Sequence, residues 1–136
     1  MLTRKVLSLD EAKKIAAGAE AEARRNSWLV IIAIVDDGGH LVYLQRLDGA
    51  QFGSIDVAIA KAHAAIAFKR PTKAWEDLVN QGHVRYMGLP GSLPLEGGLP
   101  LVVDGEIVGA IGVSGVKSHE DAQIAKAGID AFAATG

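Results

Sequence analysis

His63 is the residue whose position in this sequence most directly suggests chemistry. It falls four residues after Ile59 and three before Ile66, so on a helix its imidazole faces the same way as these apolar side chains. An imidazole in that place could ligate a metal ion or act as a general base. The alternative is a histidine that is hydrogen-bonded within the core or an interface.

Two cations near His63 could bind an anionic group. Arg70 follows it by seven residues on the same stripe, and the guanidinium fork could pair with a carboxylate. Arg70 could equally cap the C-terminus of the helix. Lys61 lies on another face of that helix, with Ala64 and Phe68. There it could hold an anionic ligand or form a structural ion pair.

Glu120, flanked by His119 and Asp121, lies in the first turn of the last predicted helix. Adjacent helical residues do not point together, so these three are not a ready-made ligand set. Acidic residues at a helix N-terminus also simply complement the helix dipole. Glu120 could act in a cleft if the glycine-rich segment forms its wall. The candidate catalytic residues are therefore His63, Arg70 and Glu120.

Glycine is concentrated in one part of the chain. Nine of the 16 glycines lie within residues 82–115, which predicts loops, turns and tight strands there. Backbone amides of residues 88–92, Gly97 and Gly98 could line a pocket for an anion or a carbonyl group. No P-loop motif is present. The glycines at every third position in Gly109–Gly115 suggest a close approach of strands or subunits.

Composition excludes several classes of function. The chain has 136 residues, a net charge of −2 and no cysteine, so disulfides, thiolate metal sites and iron–sulfur clusters are excluded. No basic stripe indicates a nucleic-acid partner. No apolar run approaches the roughly 18 residues of a membrane span, and the first residues do not resemble an export signal. We therefore expect a cytoplasmic protein.

Local signals predict the elements that position these residues. Ser8 and Glu11 form a capping box for a first helix. Residues 30–35 are a β-branched run that predicts a strand buried on both faces, and the turn residues 36–39 lead to a returning strand at 41–46. The apolar stripe of the first helix would comprise Ala12, Ile15, Ala16, Ala19 and Ala23.

A second helix is predicted from an N-cap at Ser54 to the region before Pro71, which disfavours helix in the residue preceding it. Thr72 is placed to cap a short third helix. The glycine- and proline-rich residues 82–100 predict a long loop. The buried stripe of the second helix would comprise Ile55, Ile59, Ala62 and Ile66.

The last third of the chain predicts a hairpin followed by a helix. Asp104-Gly105 between two apolar runs, 101–103 and 106–113, is a two-residue hairpin signal. Ser118 is placed to cap the last helix, with Asp121 at the capping-box position. Consecutive strands are thus joined by hairpins, which predicts one α+β domain over residues 1–136 with a mainly antiparallel sheet flanked by helices.

Four segments resemble the GlcG/HbpS family of haem-degrading and haem-binding domains, which also occurs as the C-terminal domain of PduO-type proteins. They are AIVDDGGHL (33–41), SIDVAIAKA (54–62), LEGGLPLVVDG (95–105) and GAIGVSG (109–115), and they span almost the whole chain in the family order. The resemblance implies a profilin-like fold and a homo-oligomer, often an octamer. It also implies a small-molecule ligand, which is haem in some members.

On that resemblance, His63 would ligate haem iron and Arg70 would pair with a propionate. With the backbone amides of the glycine-rich segment, the candidate binding residues are His63, Lys61, Arg70, Gly97 and Gly98. The first hypothesis is therefore a binding protein for haem or a related tetrapyrrole. The second is an isomerase, hydrolase or decarboxylase acting on a small carbonyl or carboxylate catabolite. The third is a non-catalytic scaffold.

Overall fold

A computed structural model describes residues 1–135 of the chain. The four strands form one antiparallel sheet in the order β2-β1-β4-β3. Among the described residues, no helix is long and apolar enough to cross a bilayer. The elements are α1 (Leu9–Arg25), β1 (Ile31–Asp36), β2 (Leu41–Arg46), α2 (Gly53–Ala67), α3 (Lys73–Asn80), a short 3-10 helix (Val84–Gly88), β3 (Gly98–Val103), β4 (Glu106–Ser114) and α4 (Ser118–Thr135).

The sheet consists of two hairpins joined by their inner strands. β1 pairs with β2, β3 pairs with β4, and β1 also pairs antiparallel with β4. The second hairpin turns at Asp104 and Gly105, whose φ angles of 49° and 79° fit the predicted two-residue turn. The predicted α+β fold with an antiparallel, profilin-like sheet is confirmed.

The central strand β1 contacts a helical layer on each face of the sheet. Ile32 and Ile34 belong to the core formed with α1 and α4, whereas Ala33 and Val35 pack towards α2. This alternation follows from the two-residue period of a strand. The prediction that β1 is buried on both faces is confirmed.

Glycines allow the helices to approach each other and the sheet closely. A Cβ on Gly18 of α1 would lie 2.5 Å from the Cβ of Ala131 in α4. A Cβ on Gly112 of β4 would lie 2.1 Å from the carbonyl oxygen of Ala58 in α2. The close approach predicted for Gly109–Gly115 is therefore observed within the chain: Gly112 seats α2 on the sheet, Gly109 lies against the backbone of β1, and Gly115 lies against the residues before β1.

Two predicted caps, Ser54 and Ser118, are wrong because these residues lie within their helices, whereas Thr72 occupies the predicted N-cap position of α3 but makes no capping hydrogen bond with its side chain. Ser54 lies inside α2, and its hydroxyl accepts a hydrogen bond from Gln51 at 3.0 Å. The Thr72 hydroxyl accepts from the Gly98 N–H at 2.9 Å, and the Thr72 N–H donates to the Gly98 carbonyl at 3.0 Å. Ser118 is the first residue of α4, and Lys117 precedes the helix.

Two predicted boundaries also differ from the structure. α2 ends at Ala67, well before Pro71, because Lys69 adopts a left-handed conformation with φ of 55°. β3 begins at Gly98, inside the segment predicted as a loop. Pro100 is tolerated there because β3 is an edge strand.

The seating of α2 on the sheet generates a test of the fold. We expect Gly112→Ala to destabilise the protein by at least the roughly 1–3 kcal/mol that overpacking costs, because the new methyl group meets helix backbone. Gly53→Ala, at the open first position of α2, should be neutral or stabilising by up to about 1 kcal/mol. Urea unfolding of both variants checks this, and equal stabilities would contradict the packing argument.

Candidate functional site

Helix α2 presents Lys61 and His63 in nearly opposite directions. Two residues along a helix correspond to a rotation of about 200°. Lys61 accordingly points inward and is only 2% exposed, whereas His63 is exposed. The two residues therefore take part in two different arrangements.

The buried arrangement is an ion pair that crosses between elements. The Lys61 ammonium donates to a carboxylate oxygen of Asp121 at 3.0 Å and to the carbonyl oxygen of Val113 at 2.9 Å. The second Asp121 oxygen accepts from the Val116 N–H at 3.1 Å. Both charges are buried, paired and hydrogen-bonded, which is the condition under which a folded protein tolerates them. The structure favours the ion-pair interpretation of Lys61.

Gly97 and Gly98 enclose this ion pair. A Cβ on Gly97 would lie 2.8 Å from the Lys61 ammonium, and one on Gly98 would lie 2.3 Å from the Lys61 carbonyl oxygen. Both glycines are buried, and the Gly98 N–H is bound to Thr72. Lys61, Gly97 and Gly98, for which the sequence predicted a binding role, are therefore engaged with each other inside the protein and do not line the recess beside His63.

Burial dominates the ionisation of Asp121. It raises the pKa of this carboxyl above its ordinary value of 3.8, while the Lys61 ammonium and the Val116 N–H oppose the shift by stabilising the carboxylate. Lys61 is thus the group that most favours a charged Asp121 inside the protein.

The exposed arrangement is the imidazole of His63, which lies between two tight turns. A Cβ on Gly39 would lie 2.9 Å from its Cδ2, and a Cβ on Gly91 would lie 3.6 Å from its Cε1. Gly39 belongs to the β1–β2 turn, which the Asp36 carboxylate orders by accepting the N–H groups of Gly38 and His40. These hydrogen bonds, that of His40 first, lower the pKa of Asp36.

The second turn follows directly from its sequence. The Ser92 N–H donates to the carbonyl oxygen of Leu89 at 3.0 Å, and Gly91 has a φ of 80°. Proline followed by glycine at the central positions favours a type II turn, because that turn requires positive φ at its third residue. The turn brings part of the glycine-rich segment against His63.

A shallow recess of about 320 Å³ lies along α2 beside this imidazole. This volume is at the lower end of the range for ligand pockets, roughly 300–1,000 Å³. The Ser92 hydroxyl oxygen is buried there without a hydrogen-bond partner among the described residues. The recess is lined by Asp56, Ile59, Ala60, His63, Gly91, Ser92 and Leu93.

Arg70 lies outside the α2 stripe, because the chain turns at Lys69 before reaching it. Its Nε donates to the carbonyl oxygen of Phe68 at 3.0 Å, the last-turn contact expected of a C-terminal cap. Its guanidinium carbon lies 5.1 Å from the centre of the Trp75 ring. The side chain is nevertheless exposed.

Glu120 acts at the N-terminus of α4. Its carboxylate accepts the N–H of Lys117 at 3.2 Å, which satisfies one of the free donors at the helix start. It neighbours Asp121, the partner of Lys61, and it does not line the His63 recess. The structure therefore does not bring His63, Arg70 and Glu120 together in one recess of the chain.

Two lining residues, Asp56 and Leu93, were missed by the sequence reasoning. Asp56 lies two helical turns before His63, so helical periodicity alone could have placed it on the same face. Leu93 follows the Leu89–Ser92 turn, and no local signal shows that this turn folds back onto α2.

A larger cavity, about 470 Å³, lies on the other face of the sheet between α1, β3 and α4. Its acidic groups already have partners: Glu11 caps α1 through Ser8, and Asp104 pairs with Lys5 at 2.5 Å. The smaller recess is therefore the better candidate for a ligand site, because it combines an exposed imidazole with a hydroxyl that lacks a hydrogen-bond partner among the described residues.

Comparison with known proteins gives a consistent family assignment. The profile of the family described as "Haem degrading protein HbpS-like" matches residues 7–130. Protein GlcG of Escherichia coli (strain K12) is 43% identical over 114 residues, 84% of this chain and 85% of that protein. A crystal structure of HbpS has a TM-score of 0.87 at 32% identity, covering 96% of this chain and 92% of that one. A crystal structure of a PduOC–haem complex has a TM-score of 0.84 at 27% identity, covering 93% and 95%.

The buried ion pair generates a prediction about stability. We expect Lys61→Met to cost about 3–5 kcal/mol near neutral pH, because it leaves a buried carboxylate without its counter-charge. The loss raises the pKa of Asp121 in the folded variant further. Protonation of Asp121 in the folded variant therefore stabilises it fully at pH values below the ordinary carboxyl pKa of 3.8. This stabilisation is lost as the pH rises through the raised pKa of Asp121 in the folded protein.

The difference in free energy of unfolding between the Lys61→Met variant and the wild type should therefore become smaller on acidification. Urea unfolding at neutral and mildly acidic pH measures this difference. Lys126→Met is the matched control, since Lys126 pairs with Asp130 on the exposed surface and should contribute less than about 0.5 kcal/mol. A Lys61→Met variant as stable as this control would refute a stabilising role for the pair.

Proposed function

The chain belongs to the HbpS-like family of haem-degrading proteins, and on that premise we propose that it binds haem or a related tetrapyrrole in the recess beside His63. The observation that carries the proposal is the exposed imidazole of His63, which two turns hold at the edge of this recess. A family relative, PduOC, has been crystallised as a complex with haem.

The residues of the recess fit such a ligand. His63 would hold the iron, because a histidine nitrogen is a common axial ligand of haem. The apolar side chains of Ile59 and Leu93 would contact the macrocycle, and the Ser92 hydroxyl, which has no hydrogen-bond partner among residues 1–135, would bind a polar substituent. Bound haem would supply redox-active iron.

The turns that flank His63 restrict how its imidazole can move. The space between Gly39 and the ring is too small for a methyl group, and Gly91 borders the ring from the second turn, so the imidazole is restrained on two sides. A side chain that is already restrained before binding loses less conformational entropy when the ligand binds, so less of the binding free energy is used to order it.

The second hypothesis, an enzyme for a small carbonyl or carboxylate catabolite, relied on His63 and Glu120 acting in one cleft. Glu120 instead caps α4, so no observation in the chain favours that activity over binding. The cytoplasmic location stays a prediction.

We also propose that the protein self-associates, since the recess is open to solvent and apolar side chains are exposed around the molecule. Phe52, at the start of α2, is 79% exposed, and Val84 and Met87 are each 63% exposed. Contacts between subunits would bury these side chains. Light scattering should give a mass well above the 14.2 kDa of one chain, reduced by Phe52→Glu. A monomeric wild type would contradict this part of the proposal.

Haem titration followed by absorption spectroscopy tests the ligand. We expect a shifted Soret band in the wild type and affinity reduced about tenfold or more in His63→Ala, because the variant lacks the iron ligand. His119→Ala is the control, as His119 is exposed on α4 away from the recess. An unchanged free-haem spectrum would refute haem binding, and a normal His63→Ala titration would refute the ligand assignment.

Gly39→Ala gives a second variant for the same experiment. Its methyl group would displace the His63 ring, so we expect a severalfold loss of haem affinity. Gly105→Ala is matched to it, because both glycines occupy hairpin turns with φ near 80° and only Gly39 touches His63. The backbone strain, about 1–2 kcal/mol, should be similar in the two variants.

A further inference from the structure

Two arginines are held on the faces of aromatic rings next to the His63 recess. The guanidinium carbon of Arg70 lies 5.1 Å from the centre of the Trp75 ring, and that of Arg85 lies 5.0 Å from the centre of the Tyr86 ring. The Trp75 and Tyr86 rings are themselves 5.2 Å apart. The two cations therefore stand on neighbouring rings of one cluster.

Packing and hydrogen bonds restrain the side chains of this cluster. Trp75 is 5% exposed, and the Phe68 ring packs edge-on against it with centres 5.2 Å apart. Arg70 is tied to the Phe68 carbonyl, and the Arg85 guanidinium donates to the Tyr86 hydroxyl at 3.1 Å. Each contact restrains a side chain that would otherwise lose much rotational freedom on binding.

Phe68 connects this cluster to the recess. A Cβ on Gly91 would lie 3.6 Å from the His63 ring and 3.9 Å from the Phe68 ring. The contacts thus run from Arg70 to Trp75, from Trp75 to Phe68, and from Phe68 to the turn at Gly91 that borders His63.

Neither arginine has a carboxylate partner within residues 1–135, although both are exposed and charged. The contacts just described use one nitrogen of each guanidinium, so the remaining N–H donors face solvent. This differs from exposed cations such as Lys73 and Lys126, which pair with aspartates one turn away. Fixed guanidinium donors without an internal anion suit carboxylate recognition.

We infer that Arg70 and Arg85 form a positively charged, anion-binding subsite for the two carboxylate groups of the ligand held at His63. The inference rests on the proposed function and deepens it, because it restricts the ligand to a tetrapyrrole that carries carboxylates. It adds Arg85, and it gives the Trp75–Tyr86 pair the role of positioning the cations.

Haem and its dimethyl ester, dispersed in the same detergent, separate this subsite from iron binding. The wild type should bind haem more tightly than the ester. Arg70→Gln and Arg85→Gln should each weaken haem about three- to tenfold and leave the ester within about twofold, since the ester has no charge to lose. Added salt should weaken haem binding selectively.

Arg46→Gln is the matched control, because Arg46 is exposed at the far end of the β1–β2 hairpin and its loss changes the net charge equally. Equal binding of haem and ester by the wild type, or a preference that survives in the Arg70→Gln, Arg85→Gln double variant, would overturn the subsite while haem binding stands. A Soret band that neither compound shifts would overturn the proposed function, and the subsite with it.

Discussion

The Lys61–Asp121 ion pair is the interaction on which the position of the candidate site depends. It joins α2 to the start of α4 and to the end of β4 inside the protein, where neither charge can be left alone. Because α2 is a regular helix, fixing the inward direction of Lys61 also fixes the outward direction of His63, two residues later. A structural interaction on the buried face of the helix thus determines where a chemical group appears on the exposed face.

Glycines allow other parts of the chain to approach α2 closely on both its buried and its exposed side. On the buried side, Gly112 and Gly98 let strand backbone touch helix backbone, which fixes the height of α2 above the sheet. On the exposed side, Gly39 and Gly91 let two turns close on the imidazole. The concentration of glycine in residues 82–115 therefore serves mainly close packing, and only the turn at Gly91 borders the recess.

Features set by neighbouring residues were predictable from the sequence, and features set by distant ones were not. The capping box of Ser8, the buried face of α1 and the Asp104-Gly105 turn involve residues close in sequence, and all were found as predicted. Ser54 was misassigned as a cap, and Thr72 is the N-cap residue of α3 without capping through its hydroxyl, because a hydroxyl has the same local signature whether it caps a helix or binds elsewhere. The partner of the Thr72 hydroxyl, Gly98, is 26 residues away. Lys61 could be assigned to a face, but its partner 60 residues away could not be identified.

The charges around the recess define a direction along it. Asp56 lines the recess two helical turns, about 10.5 Å, before His63, whereas Arg70 and Arg85 belong to the aromatic cluster that reaches the turn at Gly91 through Phe68. On the proposed function, a ligand with anionic substituents would be repelled by Asp56 and attracted by the two arginines. His63 would hold that ligand at one point, and a single point of attachment does not determine how the ligand is turned in the recess. In the proposed complex this asymmetry of charge would direct the carboxylate edge of the tetrapyrrole towards the two arginines, so iron ligation and charge complementarity would act on the ligand as two separate physical effects.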